Sequence, residues 1–414
     1  MSGIYVEVCA PGADIQALWA ELVQRAPANV FMNPAVLNAV HAAQFARVHM
    51  LLAWRNSAGA KQLVGIWALQ EKRVAPGWPV LLIGPPFNYA FVSNPVIDQS
   101  FTDDVIAAFL DAVAKHPSLP KLIRLRYLDA SSESGEALLQ TSASGTAQAM
   151  KLSERQRPFA SRELNLKRSG STRKKLRQDW NRLSALGPVE LVNDRDQSAV
   201  RDAFETFLSM EANSWKGSRG TALLSSDRDA AFARSLIANL AAQRSATVAL
   251  LRVSGRPIAA QVLLYSGRTA YTWKTSFDAE YARYSPGALL IEKLTEILFS
   301  SSEIDAIESC SPEGSFMEQL WSGRRTTVDL LVEMRARKSL SFNAVAMGEQ
   351  AFSKLRVVRN KFHVMGAAAR ANARLIAAPA AMGKPAATGE KKRSINLRRA
   401  ASAVMSKFTS FFGC

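Results

Sequence analysis

Residues 270–290 read Ala270-Tyr-Thr-Trp-Lys-Thr-Ser-Phe-Asp-Ala-Glu-Tyr-Ala-Arg-Tyr-Ser-Pro-Gly-Ala-Leu-Leu290. The pattern predicts a strand, a short polar turn, and a helix that opens at Ser285-Pro286-Gly287-Ala288. Serine is a preferred N-cap because its hydroxyl accepts from an orphan amide of the first turn. Proline suits the first helical position, where its missing N–H costs nothing. Gly287 and Ala288 keep side-chain bulk away from the amides that follow. A strand feeding a bare helix N-terminus is a ready anion site, since N–H groups and the positive end of the helix dipole point outward. Arg283 stands just before it. The chemistry implied is capture of a phosphate-bearing cosubstrate beside a strand that carries reactive groups. The same tripeptide also opens helices that bind nothing, so its surroundings decide between the two readings.

Outward from this stretch, residues 189–332 predict a continuous α/β unit. A strand (189–193) and two helices (197–213 and 228–243) precede strands at 246–253, 257–265 and 269–276. Two Ser-Gly turns, Ser254-Gly255 and Ser266-Gly267, separate those last three, so the sheet is expected to be antiparallel there. The helix from Pro286 then acts as a crossover to a strand at 303–308, followed by a short helix near 313–320 and a strand at 326–333. Residues 1–150 show the same gross order, helices before strands, which suggests a duplicated architecture. Residues 131–149, rich in Ser, Gly, Ala and Thr, read as a loop or weakly helical connector. The domains expected are 1–150, a basic connector and helix at 151–188, a second unit at 189–334, and a tail at 335–414.

Composition narrows the function classes. Hydrophobic content of 48% with 21% charged residues is that of a globular chain. The apolar runs all fall short of the roughly 18–20 residues of a membrane span, and no signal peptide is expected. Cys9, Cys310 and Cys414 are too few and too scattered for a disulfide framework, which favours a reducing cytoplasm. His41, His49, His116 and His363 show no ligand spacing, so no metal is expected. The formal charge of +17 resembles a nucleic-acid signal until it is located: residues 335–414 hold sixteen Lys/Arg against two Asp/Glu, so +14 lies in the tail and +3 in the rest. A second basic stretch, Arg162 to Arg182, reads either as a solvated linker helix or as a lip that attracts an anionic cosubstrate. In the tail, basic residues interleave with Phe352, Leu355, Val358, Phe362 and Met365, a pattern open to contact with the inner-membrane surface or to packing on the body.

Several strings taken in order resemble the GNAT acyltransferase superfamily, in its FemAB-like, CelD-type branch associated with cellulose and exopolysaccharide biosynthesis. They are Ser171-Thr-Arg-Lys-Lys-Leu-Arg177, Glu211-Ala-Asn-Ser-Trp-Lys-Gly217 with Gly220-Thr-Ala-Leu223, Gly255-Arg-Pro-Ile-Ala-Ala-Gln261, Trp273-Lys-Thr275 and Tyr281-Ala-Arg-Tyr-Ser-Pro-Gly287. The resemblance implies an α/β fold with a mixed sheet, tandem GNAT-like domains, and a basic helical C-terminal extension. It implies acyl transfer from acetyl-CoA or another acyl-CoA to an amine or hydroxyl of a small-molecule or glycan-precursor acceptor, within a ternary complex. In GNAT enzymes the strand-to-helix loop reads Arg/Gln-x-x-Gly-x-Gly/Ala. Here it reads Arg283-x-x-Pro286-Gly287-Ala288, and Pro286 removes one amide from the cradle. FemAB-type relatives use aminoacyl-tRNA, so a tRNA-dependent transferase is the alternative, with a non-catalytic accessory protein of a polysaccharide synthase as a third reading. Other nucleic acid is not expected.

The candidate residues follow. Glu308 or Glu211 would serve as base, with Lys274 as an electrostatic contact to substrate or phosphate. Arg283, Ser285, Pro286, Gly287, Ala288 and Thr275 would line the cosubstrate site, and Trp215, Lys216, Gln261 and Trp273 the acceptor site. Each also has a structural reading: an acid at an element's end pairs with a nearby Arg, and tryptophans fill cores. Cys310 has no histidine placed to activate it.

Overall fold

The computed structural model describes residues 3–351, apart from 13, 58, 144–146, 165–169 and 336; the expected tail segment from Phe352 onward lies outside them. Contacts divide the described chain into one unit of residues 3–73 and 79–337 and a second of 74–78 and 338–351. The first half of the large unit runs β1 (Ile4–Cys9), α1 (Gln16–Leu22), α2 (Pro34–Ala42), β2 (Val48–Ser57), β3 (Ala60–Arg73), β4 (Val80–Gly84), β5 (Val96–Ile97), α3 (Thr102–Lys115), β6 (Leu122–Asp129) and α4 (Glu133–Ala143). A long strand, β7 (Gln148–Ser161), and the basic helix α5 (Gly170–Ser184) lead on. The second half runs β8 (Val189–Val192), α6 (Gln197–Ala212), α7 (Trp215–Ser218), α8 (Asp227–Ala242), β9 (Ala246–Val253), β10 (Arg256–Ser266), β11 (Thr269–Phe277), α9 (Pro286–Ser300), β12 (Ala306–Glu308) and β13 (Arg324–Glu333). In the small unit a helix, α10, spans 340–351; a Cβ on its Gly348 would lie 2.2 Å from the Trp78 ring, so only glycine allows that approach.

The strands form one path, β1-β2-β3-β4-β6-β13-β7-β12-β11-β10-β9-β8, with β5 attached to β3. Both ends follow the same rule. β1 to β4 are antiparallel neighbours, β4 pairs parallel with β6 through the crossover helix α3, and an antiparallel strand closes the set. β8 to β11 are likewise antiparallel, β11 pairs parallel with β12 through α9, and an antiparallel strand closes that set too. The duplication suggested by element order is therefore present in topology. The closing strands are exchanged: β13, from the end of the second half, completes the first sheet beside β6, while β7, from the end of the first half, completes the second beside β12. β7 and β13 pair with each other from Gln148 to Pro158.

Charged residues line this seam. Arg155 meets Asp329 at 3.2 Å, and Glu308 lies between Arg325 (3.1 Å) and Arg157 (3.4 Å). Arg325 also reaches Asp129 at 3.3 Å. The Arg157 and Glu308 side chains are 3% and 1% exposed, a burial tolerable only because each charge has an opposite beside it. The larger core joins the first half to α6 and α8 through Phe31, Phe87, Phe232 and Tyr271. A second core lies beneath α9, around Leu263, Leu289, Leu294 and Trp321. Each such side chain contributes about 1.5–3 kcal/mol by leaving water.

Candidate active site

β11 is irregular where the chemistry was expected. Val262 pairs with Lys274 and Leu263 with Thr272, so Trp273 is an extra residue, a β-bulge. A bulge re-aims the side chains around it, and here Trp273 and Lys274 come together with the ring of Tyr89. The other edge of β11 pairs with β12 only from Thr269 to Tyr271. Beyond Tyr271 the backbones have parted, although the Thr272 hydroxyl still donates to the Glu308 and Ser309 carbonyls (3.3 and 2.7 Å).

The Lys274 Nζ lies 4.2 Å from the centre of the Tyr89 ring and 5.6 Å from that of Trp273. Burial pushes its ammonium down to about 8; Glu211 opposes the shift, Lys216 adds to it, and Asp229 opposes it. Glu211 is fully buried and engaged at both oxygens, accepting from Lys216 Nζ at 2.9 Å and from the Leu223 amide at 2.9 Å. Lys216 also donates to the Thr275 carbonyl at 2.8 Å, tying the α7 turn to β11. Ser276, two residues beyond Lys274, is 4% exposed, and its hydroxyl has no partner among the described residues.

The loop before α9 departs from the expected cap. Ser285 takes a left-handed backbone (φ 52°, ψ 45°), and its side chain makes no capping bond. That conformation swings the hydroxyl out of reach of the first turn, and it accepts instead from Lys175 Nζ on α5 at 2.7 Å. The Ala288 and Leu289 amides turn back on the Ser285 carbonyl (3.0 and 3.1 Å). Pro286 has no N–H, so among the described residues Gly287 N–H is the first-turn donor that keeps no backbone acceptor. Arg283 is exposed, its guanidinium 4.8 Å from the Tyr284 ring. On α5, Leu176, Asp179 and Leu183 face inward while Arg173, Lys174 and Arg177 stay exposed. The basic segment thus stands beside the anion loop, and the Lys175–Ser285 bond joins them. The related junction in the first half differs: the first turn of α3 carries Asp103 and Asp104, whereas that of α9 has no acid.

The remaining candidates are scattered. Glu308 is in the seam, where it also accepts from the Cys310 amide at 3.4 Å. Gln261 is fully buried and donates to the carbonyls of Val262 (2.8 Å) and Lys274 (3.0 Å), while its own Oε1 is unpartnered among the described residues. The Thr275 hydroxyl donates to the Ala260 carbonyl at 3.4 Å. Trp215 is 55% exposed beneath the Arg219 guanidinium. Cys310 is buried and its thiol is pushed well up by burial and by Glu308, so it is no nucleophile. Sequence reasoning missed Tyr89 and Asp229. The Tyr89 hydroxyl donates to Asp229, and its carbonyl accepts from Trp273 Nε1 at 2.8 Å. The local signal for Tyr89 is the aromatic density of Pro85-Pro-Phe-Asn-Tyr-Ala-Phe91, a loop of the other half.

Among known proteins, residues 170–300 match the family described as Acetyltransferase (GNAT) domain. The fold is shared with FemX at 10% identity, over 79% of this chain and 96% of that one, with a TM-score of 0.54. It is also shared with the C-terminal domain of a putative lysylphosphatidylglycerol synthetase from Agrobacterium fabrum, at 14% identity over 81% and 95% of the two chains, with a TM-score of 0.50. A tandem GNAT protein from the clavulanic acid biosynthesis pathway aligns at 13% identity over 81% and 99%, with a TM-score of 0.41. No curated protein sequence matches the chain. The fold is mixed α/β with a mixed sheet; its two halves repeat one strand order, and the GNAT match falls on the second.

Proposed function

We propose that the protein is an acyltransferase whose second half binds an acyl-CoA between the parted strands β11 and β12, with the diphosphate over the Gly287 amide. The observation that carries this reading is the contrast between the two related helix starts. The α3 turn is blocked to anions by Asp103 and Asp104; the α9 turn is free of acid and flanked by Lys175 and Arg283. Negative groups are favoured at a helix N-terminus and repelled by acids already there.

The acceptor, an amine or hydroxyl of a small-molecule or glycan precursor related to the envelope or exopolysaccharide, would meet the thioester on the Lys274 side of β11. The acceptor heteroatom attacks the carbonyl, the coenzyme thiolate leaves, and the acceptor proton passes to a base. Lys274 and Glu211 lie together on that side. Glu308, held between two guanidiniums, is better suited to the seam. On this reading 189–334 is the donor-binding domain, 1–150 its GNAT-like companion, 151–188 the connector and basic lip, and 335–414 an extension that meets the inner-membrane surface from the cytoplasm. No helix among the described residues is long and apolar enough to cross a membrane.

Calorimetry with acetyl-CoA and longer acyl-CoAs tests the donor. Gly287→Glu is the diagnostic variant, because a Cβ there meets only Phe277 at an ordinary 3.6 Å, so the fold accepts the side chain while the carboxylate repels the diphosphate. Loss of binding with an unchanged melting temperature is expected; no binding of any thioester by the wild type would refute the donor assignment. The tRNA-dependent alternative draws support from Pro286, which thins the amide cradle, and from exposed Arg173, Lys174 and Arg177. It requires tRNA binding that weakens steeply with salt. For an accessory protein, Gly287→Glu would be silent and deletion of 335–414 would abolish function.

A further inference from the structure

The first half reaches into the transfer site through one loop. Between β4 and β5 the chain presents Phe87, Tyr89 and Phe91, and two groups hold it by its carbonyls: Trp273 Nε1 of the second half on Tyr89 (2.8 Å) and Arg157 of the exchanged strand β7 on Phe91 (2.7 Å). The Tyr89 ring stacks on Phe45 (5.8 Å, 17°) and meets Trp273 edge-on (6.4 Å, 90°). Its hydroxyl is spent on Asp229 at the start of α8. Ring plane and position are therefore fixed on every side but one, and on that side lies the Lys274 amine.

Lys274 is unusual in what it lacks. The charged or titratable groups facing it are Glu211 from α6, Lys216 from α7, Asp229 from α8 and Tyr89 itself. Glu211 is taken by Lys216 and the Leu223 amide, and Asp229 by Tyr89. Among the described residues the Lys274 amine has no hydrogen bond or ion pair and rests on aromatic faces. A tyrosine present only for packing needs no carboxylate on its hydroxyl; here that bond also removes the carboxylate that would otherwise capture the amine.

We propose that Tyr89 is a positioning residue of the transfer site: locked by Asp229 and Trp273, its ring floors the Lys274 amine and holds it unpaired toward the acceptor. This rests on the transferase reading above. It also gives the first half a part in the site, since the acceptor would meet a surface built from both halves. Burial, the main influence that keeps Lys274 near pH 8, then depends on the Tyr89 ring.

The test uses the full chain and needs no activity. Trace acetylation of Lys274 by acetic anhydride, followed across pH by peptide mass spectrometry, reports the midpoint at which the amine becomes reactive. For the wild type that midpoint is expected near 8. Tyr89→Leu admits water and frees Asp229, and should raise it by about one unit, lowering the reactive fraction at pH 7 about tenfold; Tyr89→Phe, which keeps the ring and only frees Asp229, should raise it by less. The acidic limb of kcat/KM should follow the same displacement, which a purely structural tyrosine would not cause. A folded Tyr89→Leu protein with an unmoved midpoint overturns the proposal, and Tyr89→Met serves the same purpose where the leucine variant does not fold. A displaced midpoint in a protein that transfers no acyl group would instead defeat the transferase reading and leave the Tyr89–Lys274 coupling intact.

Discussion

Replacing Lys274 by methionine should make the protein more stable at pH 6.5 and much less so at pH 10. The native amine titrates near 8 against 10.5 for an ordinary lysine. At about 1.4 kcal/mol per pH unit, holding the charged form in the folded protein costs about 3 kcal/mol at most. Lys274 keeps some exposure, so about 2 kcal/mol is the expected gain at pH 6.5. Because the folded-state pKa lies below the unfolded one, the unfolded chain binds the extra proton between pH 8 and 10.5. Wild-type stability therefore climbs through that window, and the penalty is full below it. Methionine fills similar volume without charge, so the difference between variant and wild type should shrink as pH rises. Urea unfolding followed by tryptophan fluorescence at both pH values measures it. A variant that is less stable at pH 6.5, or one whose advantage is equal at pH 10, would refute the account of Lys274 as a buried, unpaired cation.

Glu308→Gln should destabilise by about 3–5 kcal/mol in thermal or urea melts, since Arg157 and Arg325 lose their shared counter-charge. Intact stability with a hundredfold fall in kcat would return Glu308 to the chemistry. Lys175→Ala should weaken acyl-CoA binding by roughly three- to tenfold and flatten its salt dependence in calorimetry, because a cation beside the Ser285 loop is lost. Cys310, with its thiol pushed up by burial, should react with Ellman's reagent more slowly than half-buried Cys9 at pH 8, by about tenfold or more.

The second half was readable because its signals are local. Ser254-Gly255 and Ser266-Gly267 announce hairpins, and Ser254, Gly255 and Gly267 take the positive φ values such turns require (49°, 79° and 53°). Pro286 marks the start of α9 regardless of what the helix packs against. β7 was missed for the opposite reason. Its sequence, Gln148 to Ser161, alternates poorly and contains Pro158, and it becomes a strand because Arg324–Glu333 pairs with it from far along the chain. The site divides in the same way. Lys274, Trp273, Lys216 and Glu211, which the fold brings together, stood out in the sequence because they flank turns and strand ends with recognisable spacing. Tyr89 is separated from Lys274 by 185 positions, and only the packing of Phe31, Phe45, Phe87 and Phe232 brings it there. Ser285 shows a local rule overruled: a serine ahead of Pro-Gly reads as a cap, but a left-handed turn spends its hydroxyl on Lys175.

The exchanged strands also set an order of events on the ribosome. When Asp129 has emerged, the β6 edge exposes a full row of amides and carbonyls whose partner, Arg324 to Glu333, is still to be synthesised. The half-made protein must carry that open edge through nearly two hundred further residues, as unpaired edges do at the risk of aggregation. The first sheet is completed late, when β13 arrives between β6 and β7 and joins the two halves. A chain stopped before Arg324 would therefore leave the sheet open in the middle rather than simply lack its last strand.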